Sequence, residues 1–390
     1  MILEGFYNIN DCYSMTRHGP GVPAAPPQRP ALRCGRSPRL TTPAGPLPAG
    51  TRPVAAGTRP VTTRARPAAA SVVPRHHFQV REGGGRLPEC GCTMLLQLWG
   101  LLYSSYVRFW LKWVVRLLTG KCELQRVLHG QKEGARRTLG IEHSLGSSKN
   151  KVLRNALHVD EAEVEKCVKD VMKEKKIEQK DIRFKTNLHI SLLQITGYKK
   201  LYLNVENLRK VPYDSDNEEH EEQLIELWNL LMPHENLKAR ITKQWCDIGF
   251  QGDDPKTDFR GMGLLGLVNL VYFSKHYTNE ARQILSRSNH PKLGYSYAIV
   301  GINLTEMAYS LLKSGDLKPH LYNVVSGLPQ MEHFHQFYCY LVYEFDKFWF
   351  EEEPESIMHF NQYREKFHEK IKGLLLDYDA VLTLGDKKKP

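Results

Sequence analysis

The run Met262-Gly-Leu-Leu-Gly-Leu-Val-Asn-Leu-Val-Tyr-Phe-Ser274 decides the fold class predicted for this chain of 390 residues. Wound as an α-helix, the run is apolar on almost every side, and a helix of that kind lies in the interior of a protein. It does not alternate apolar and polar residues as a half-buried strand does. We therefore expect a buried helix at this point and an all-α fold around it.

Segments on both sides of this run repeat their apolar residues at helical spacing. Further helices are predicted over residues 161–173, 188–196, 198–209, 220–232, 279–288, 295–313, 331–351 and 355–377. Asp160 and Thr278 stand where capping residues begin a helix, and Pro354 separates the last two helices. Together they predict one multi-helix domain over 123–380, followed by a flexible basic tail over 381–390.

The net charge of +11 invites a nucleic-acid interpretation, but that charge is unevenly distributed. Residues 1–93 hold 12 Arg, no Lys and four acidic residues, together with 14 of the 22 prolines. The prolines and the scarcity of large apolar side chains predict a disordered Pro/Arg/Ala-rich extension. Arg without Lys, beside Pro, Ala and Gly, is typical of GC-rich codons, so we interpret 1–93 as a translated upstream extension and Met94 as the usual start. We expect no specific nucleic-acid partner.

The cysteines and the N-terminus favour an intracellular, cytoplasmic protein. The eight cysteines are scattered, and no pair in the predicted domain has metal-ligand spacing. Such usage fits a reducing compartment and predicts no metal site. The first residues, Met-Ile-Leu-Glu-Gly-Phe, lack the charged start and apolar core of a signal peptide.

Residues 94–122 predict an amphipathic helix at a membrane interface. Arg108, Lys112 and Arg116 recur at every fourth position and fall on one stripe of such a helix. The tryptophans that accompany this stripe are Trp99, Trp110 and Trp113. A basic stripe beside tryptophans is typical of a helix that lies in the plane of the interface.

Two other placements of this segment stay open at the sequence level. A spanning helix needs about 20 apolar residues, and the uncharged run 94–107 is shorter than that. A helix packed on the domain, with its cations reaching solvent, is the second alternative. We expect peripheral contact with an internal membrane through 94–118, with endoplasmic reticulum, mitochondria and lipid droplets equally compatible.

The stretch Trp245-Cys-Asp-Ile-Gly-Phe-Gln-Gly-Asp-Asp-Pro-Lys-Thr-Asp-Phe-Arg-Gly-Met-Gly263 stands apart from the helical segments. It places an aromatic anchor, four acidic residues, a proline and one arginine in a turn ahead of the buried helix. Arg260 is either a structural arginine held by Asp254, Asp258 or turn carbonyls, or a guanidinium presented to an anionic partner. The planar fork of donors in arginine suits phosphate oxygens.

Two stretches match binding motifs only in part, and neither predicts a bound ligand. Gly261-Met-Gly-Leu-Leu-Gly266 matches the G-x-G-x-x-G pattern, but no hydrophobic strand precedes it, so we expect no dinucleotide cofactor. Asp214-Ser-Asp-Asn-Glu-Glu219 follows a calcium loop for five residues and then lacks the glycine at position six. Acidic residues just before a helix are better explained by its N-terminal dipole.

Several stretches resemble the signature of the ELMO domain family. They are Trp245, Ile248-Gly-Phe-Gln-Gly252, Asp254-Pro255, Thr257-Asp-Phe-Arg-Gly-Met-Gly263 and Asn269-Leu-Val-Tyr-Phe273. The resemblance covers about 94–380, and the extension 1–93 departs from the family pattern. It implies GTPase-activating activity toward Arf and Arf-like small GTPases, with Arg260 as the required arginine and arginine finger candidate. The partner GTPase would carry GTP and Mg, so the chain would need no cofactor of its own.

The resemblance also implies a supporting loop around the arginine. Its residues are Trp245, Ile248, Gly249, Phe250, Gln251, Gly252, Asp254, Pro255, Thr257, Asp258, Gly261 and Gly263. ELMO domains also occur in engulfment scaffolds that assist nucleotide exchange. The alternative function is therefore a non-catalytic interaction module that binds small GTPases or exchange factors. The intact Thr257-Asp-Phe-Arg260 stretch favours the activator.

Overall fold

The computed structural model of the chain describes residues 107–385, and side chains are described from Trp110 onward within the first helix. The predicted extension over 1–93, the segment 94–106 with Trp99, and residues 386–390 lie outside the described residues. Between residues 107 and 385 all regular structure is helical, without a strand, which confirms the all-α prediction.

Thirteen α-helices are numbered here in chain order for the described part. They are α1 Arg108–Thr119, α2 Glu123–Gly130, α3 Ala135–Gly146, α4 Lys151–Asn155, α5 Val164–Glu174, α6 Ile182–Lys210, α7 Glu218–Leu231, α8 Gly263–His276, α9 Thr278–Ser288, α10 Tyr297–Ser314, α11 Lys318–Val324, α12 Met331–Glu352 and α13 Phe360–Leu375. Short 3-10 helices lie at Ala156–His158, Glu161–Glu163, Lys243–Ile248, Pro255–Arg260 and Ile357–His359.

Helix α8 is the centre of the bundle, as its apolar sequence predicts. It is contacted by α6, α7, α9, α10 and α12. A helix that is apolar all round needs neighbours on every side to remove its surface from water. The buried amide of Asn269 on α8 is satisfied inside the bundle, because it bonds Thr305 Oγ1 at 3.1 Å and His335 Nδ1 at 2.7 Å.

Helix α6 corrects the prediction of two separate helices over 188–196 and 198–209. A single helix of 29 residues runs from Ile182 to Lys210 and passes through Gly197. A Cβ atom at Gly197 would lie 2.6 Å from Pro329 Cδ, so this glycine permits close packing. Glycine marks a helix end or a close approach in sequence equally well, and only the neighbouring segment distinguishes the two.

Two predicted caps are also wrong in detail. Asp160 precedes the 3-10 turn Glu161–Glu163 without a side-chain cap, and the α-helix itself begins at Val164. Thr278 lies inside the first turn of α9, where its hydroxyl donates to Lys275 O at 3.1 Å. Helices α12 and α13 are separated at Pro354 as predicted. Glu353 ends α12 in the left-handed region with φ 44°.

Candidate functional site

The stretch from Trp245 to Gly263 folds as two 3-10 helices joined by a turn and leads directly into α8. Thr242 caps the first, accepting from Gln244 N. Asp254 caps the second, accepting from Lys256 N at 3.1 Å. Pro255 occupies the first position of the second 3-10 helix, where its missing N–H costs nothing. Arg260 is the last residue of that helix.

Buried aromatic side chains form the floor under this loop. Trp245 is fully buried, and its ring meets Trp228 at 5.6 Å and Phe250 at 5.9 Å between centroids. Phe250 meets Phe259 at 5.6 Å. Ile248 is fully buried beside them. The edge-to-face contacts fix the rings relative to one another, so the loop backbone rests on a rigid base.

Two glycines bring the loop against neighbouring backbone. Gly249 has φ +87°, and a Cβ there would lie 2.3 Å from Tyr297 N. Gly263 has φ +53°, and a Cβ there would lie 2.2 Å from Arg209 O. Both the backbone angles and the space admit only glycine. These contacts join the two ends of the loop to α10 and to the C-terminal end of α6.

Arg240, which the sequence did not single out, holds the loop from outside. Its Nη1 donates to Asp254 Oδ1 at 3.0 Å, and its Nε pairs with the Glu221 carboxylate on α7. The Tyr213 hydroxyl donates to Glu221 Oε1. Burial and this carboxylate raise the pKa of Tyr213, which keeps the hydroxyl protonated as a donor. No spacing in the sequence connects Arg240 with Asp254, because the link depends on how segment 233–242 crosses the loop.

The two acidic residues expected beside the arginine are occupied by other groups. Asp254 is bonded to Arg240 and to its own 3-10 helix, as described above. Asp258 Oδ2 accepts from Gln251 N at 2.8 Å. Burial raises the pKa of Asp258, while the Gln251 hydrogen bond and the charge of Arg260 act in the opposite direction. Asp258 therefore closes the turn, and its interaction with Arg260 is through charge at longer range.

Arg260 itself is exposed at the end of this braced loop. Its guanidinium makes no hydrogen bond or ion pair with any residue between 107 and 385. Its backbone is fixed on both sides, by the buried Phe259 and by the close packing of Gly263. The arrangement presents a positive, planar group with five donors to the surroundings.

The remaining predicted loop residues divide between structural and exposed positions. Pro255 is buried. Thr257, Gln251 and Gly252 are exposed, and Gly252 has φ +120°, which turns the chain ahead of Asp253. Gly261 is exposed, and a Cβ there would meet nothing within 4 Å. Within the described part of the chain, no three His, Cys, Asp or Glu side chains are grouped to hold a metal ion.

Helix α1 presents its apolar side outward. Trp110 is 62% exposed, Trp113 57% and Leu117 70%. On the opposite side Lys112 pairs with Glu123 of α2 at 2.6 Å. The alternative that this helix packs its apolar side chains on the domain is therefore wrong for its described part. Arg116 is exposed, and the side chain of Arg108 lies outside the described residues. No helix in the described range has the length and apolar character needed to cross a bilayer.

Comparisons with known proteins identify relatives over most of the chain. A sequence profile of the ELMO/CED-12 family matches residues 203–364. ELMO domain-containing protein 2 of Homo sapiens is 70% identical over 292 residues, covering 75% of this chain and 99% of that protein. ELMO domain-containing protein 1 of Mus musculus is 49% identical over 308 residues, covering 74% of this chain and 94% of that protein.

The similarity extends beyond mammals. ELMO domain-containing protein B of Dictyostelium discoideum is 36% identical over 265 residues, covering 67% of this chain and 92% of that protein. No solved structure matches the chain. The matched profile includes the whole loop from Trp245 to Gly263 together with the helices α7 to α12 that surround it.

Proposed function

Because this chain belongs to the ELMO/CED-12 family, we propose that it is a GTPase-activating protein for Arf and Arf-like small GTPases. One observation carries the proposal: Arg260 is exposed and without a hydrogen-bonding partner in the described structure, on a loop braced by buried aromatic side chains, two closely packed glycines and Arg240. An arginine kept for the chain's own stability would be bonded to the nearby carboxylates of Asp254 and Asp258. Instead, Asp254 accepts from Arg240, and Asp258 accepts from the backbone N–H of Gln251.

The proposed chemistry is electrostatic. GTP hydrolysis places negative charge on the γ-phosphoryl oxygens and on the bridging oxygen, and a guanidinium supplied in trans stabilises that charge. Such arginines contribute about 10³–10⁵ in rate. The GTPase supplies the nucleotide, the magnesium and the residue that positions water, so this chain brings no cofactor of its own and forms no covalent intermediate.

The rigidity of the loop suits this role. A side chain that has to meet a transition state gains most when its backbone is already in position, because no ordering is then required during the reaction. The aromatic floor, the two tightly packed glycines and the Arg240 clamp provide that fixed backbone. The guanidinium keeps its freedom until the GTPase surrounds it.

The test is single-turnover GTP hydrolysis by a panel of Arf-family GTPases, using the full chain and the variants Arg260→Lys and Arg260→Ala. We expect acceleration by the wild-type protein and a loss of at least about 10³ in both variants, because lysine lacks the planar fork. The thermal unfolding midpoint should stay within about 2 °C of wild type, since the side chain is exposed. Acceleration by a well-folded Arg260→Ala protein would rule out the arginine finger, and binding without acceleration would favour the scaffold alternative.

We further propose that α1 and the residues before it hold the protein at the surface of an internal membrane. Trp110, Trp113 and Leu117 face away from the domain and leave a large apolar area in water. Aromatic and aliphatic side chains of this kind settle at the boundary between headgroups and acyl chains. Arf-type GTPases act on such surfaces, so the placement would bring activator and substrate together.

A further inference from the structure

Within residues 107–385, neither backbone conformation nor packing requires a glycine directly after Arg260. Gly261 has φ −77° and ψ −45°, angles that every amino acid adopts. A Cβ at this position would meet no atom within 4 Å. Gly249 and Gly263, in the same loop, are different, because a Cβ at either would overlap neighbouring backbone. The position next to Arg260 in the chain is therefore exposed and has room for a side chain.

Two exposed aliphatic side chains lie on segments that are hydrogen-bonded to this loop. Ile241 is 61% exposed, and the adjacent Thr242 N donates to Asp253 O at 2.9 Å. Val211 is 39% exposed, and its carbonyl accepts from Leu264 N at 2.9 Å. The first contact joins the segment ahead of the loop to the middle of the loop, and the second joins Val211 to the residue directly after the loop.

These positions are close enough to belong to one interface. The 3-10 helix Pro255–Arg260 rises by about 2 Å per residue, so its two ends are about 10 Å apart. A stable protein interface buries about 800 Å² on each partner, which corresponds to a patch roughly 30 Å across. A patch of that width centred on Arg260 is wide enough to reach the segments that carry Ile241 and Val211.

We propose that Val211, Ile241 and Gly261 form, around Arg260, the surface on which the GTP-loaded partner GTPase docks. This inference rests on the proposed function and adds the contact surface to it. The aliphatic side chains bury apolar area and exclude water from the guanidinium, which strengthens its attraction for phosphate. The missing side chain at 261 lets the partner approach the arginine closely.

Two variants with matched controls test this surface by single-turnover GTP hydrolysis at increasing activator concentration. Ile241→Asp should raise the half-saturating concentration at least about tenfold with a nearly unchanged saturating rate, because a carboxylate would be buried without a partner. Its control is Ile182→Asp. Ile182 is 74% exposed at the far end of α6, about 40 Å from Lys210 at 1.5 Å per residue.

Gly261→Leu should lower the saturating rate at least about tenfold, because the added side chain would hold the guanidinium away from the phosphate. Its control is Gly373→Leu on α13, another glycine whose Cβ would meet nothing within 4 Å. Both controls should behave like wild type, and all four variants should keep the wild-type unfolding midpoint. If Ile241→Asp unfolds, Val211→Asp makes the same test from the other side of the arginine.

The outcomes separate this inference from the proposed function. If Arg260→Ala is inactive while Ile241→Asp and Gly261→Leu match wild type, the docking surface is overturned and the activator function stands. If wild-type protein accelerates no Arf-family GTPase and binds none loaded with a GTP analogue, the proposed function fails and the inference fails with it. Selective loss in the two surface variants supports both.

Discussion

At the scale of single residues, Arg260 differs from the other arginine at this loop, Arg240, in whether its guanidinium is hydrogen-bonded. Arg240, only 20 positions earlier, donates to two carboxylates, whereas the guanidinium of Arg260 has no hydrogen-bonded partner in the described structure. The carboxylates that Arg240 binds, Glu221 and Asp254, are 19 and 14 positions away in sequence, so local sequence does not reveal that this arginine is paired. What distinguishes the two arginines is that the carboxylates near Arg260 are already bonded to other donors.

The loop glycines give the first prediction at this scale. Gly249→Ala and Gly263→Ala should each lower the free energy of unfolding by at least about 2 kcal/mol, because a left-handed backbone angle and an overlap with backbone atoms both oppose a side chain. Gly261→Ala, in the same loop, should leave it nearly unchanged. Urea denaturation followed by circular dichroism measures all three. Equal losses at the three positions would contradict the assigned roles.

The Arg240 clamp gives the second. Arg240→Met should lower the free energy of unfolding by about 1–3 kcal/mol, since it removes the guanidinium that bonds both Glu221 and Asp254 in a half-buried place. It should also lower the saturating rate of GTP hydrolysis, because Asp254 then holds the 3-10 helix less firmly. The control is Arg282→Met, which removes a hydrogen bond to Leu230 O on α7 and leaves the pairs of Arg240 with Glu221 and Asp254 intact. A loss of stability without a change in rate would show that Arg240 is structural alone.

At the scale of elements, helix α1 and helix α8 use apolar residues in opposite ways. The apolar residues of α8 are covered on all sides, whereas Trp110, Trp113 and Leu117 of α1 are exposed. The amphipathic sequence predicted a helix at α1, but it was compatible both with a helix on a membrane and with a helix packed on the domain. In the structure the Lys112–Glu123 ion pair joins the polar side of α1 to α2, and the apolar side is left exposed.

This orientation predicts binding to lipid vesicles by the full chain. In a flotation assay, wild-type protein should rise with vesicles that contain anionic lipid, and a Trp110→Glu, Trp113→Glu, Leu117→Glu protein should not, because three carboxylates would have to enter the interface. An Arg108→Glu, Lys112→Glu, Arg116→Glu protein should bind anionic vesicles less well than neutral ones. Ile182→Glu is the control for an exposed apolar residue elsewhere. Flotation of the first triple variant would contradict the proposal.

At the scale of the whole molecule, buried histidines connect stability to pH. His320 is 1% exposed, and its Nδ1 accepts from Leu382 N at 3.0 Å. His335 is buried against Asn269, bonded to it through Nδ1. Burial lowers the pKa of each imidazole from 6.5 to about 4. Both are therefore neutral in the folded protein at pH values where the unfolded chain binds protons.

The free energy of unfolding should therefore fall as the pH decreases from about 6.5 to about 4, and these two groups should add no further loss below that. Each contributes on the order of 1–3 kcal/mol over the interval, because one pH unit corresponds to about 1.4 kcal/mol per proton. Comparing His320→Gln and His335→Gln with His234→Gln, at an exposed position, isolates the effect from that of carboxylates. Equal pH slopes in the three variants would contradict it.

Much of the fold followed from sequence because helical spacing is a local property. The apolar run 262–274 predicted a buried helix, and the ends of α12 agree with prediction to within a residue. The errors occurred at residues whose type fits more than one structural role. Gly197 was predicted to separate two helices but permits close packing inside one, and Thr278 was predicted as a cap but lies in the first turn. Which use applies depends on the segment opposite, such as Pro329 beside Gly197.

The candidate site likewise has features that local sequence predicts and features that depend on tertiary contacts. Residue type and local spacing were enough to predict the helical fold, the loop from Trp245 to Gly263 and the single arginine in it, Arg260. Three features required the three-dimensional structure: Arg240 bonds Asp254, the glycine at 261 is open while that at 263 is enclosed, and the apolar side of α1 faces outward. These features depend on contacts between segments that are distant in sequence, because the burial of a residue and the pairing of a charge depend on which segments pack together.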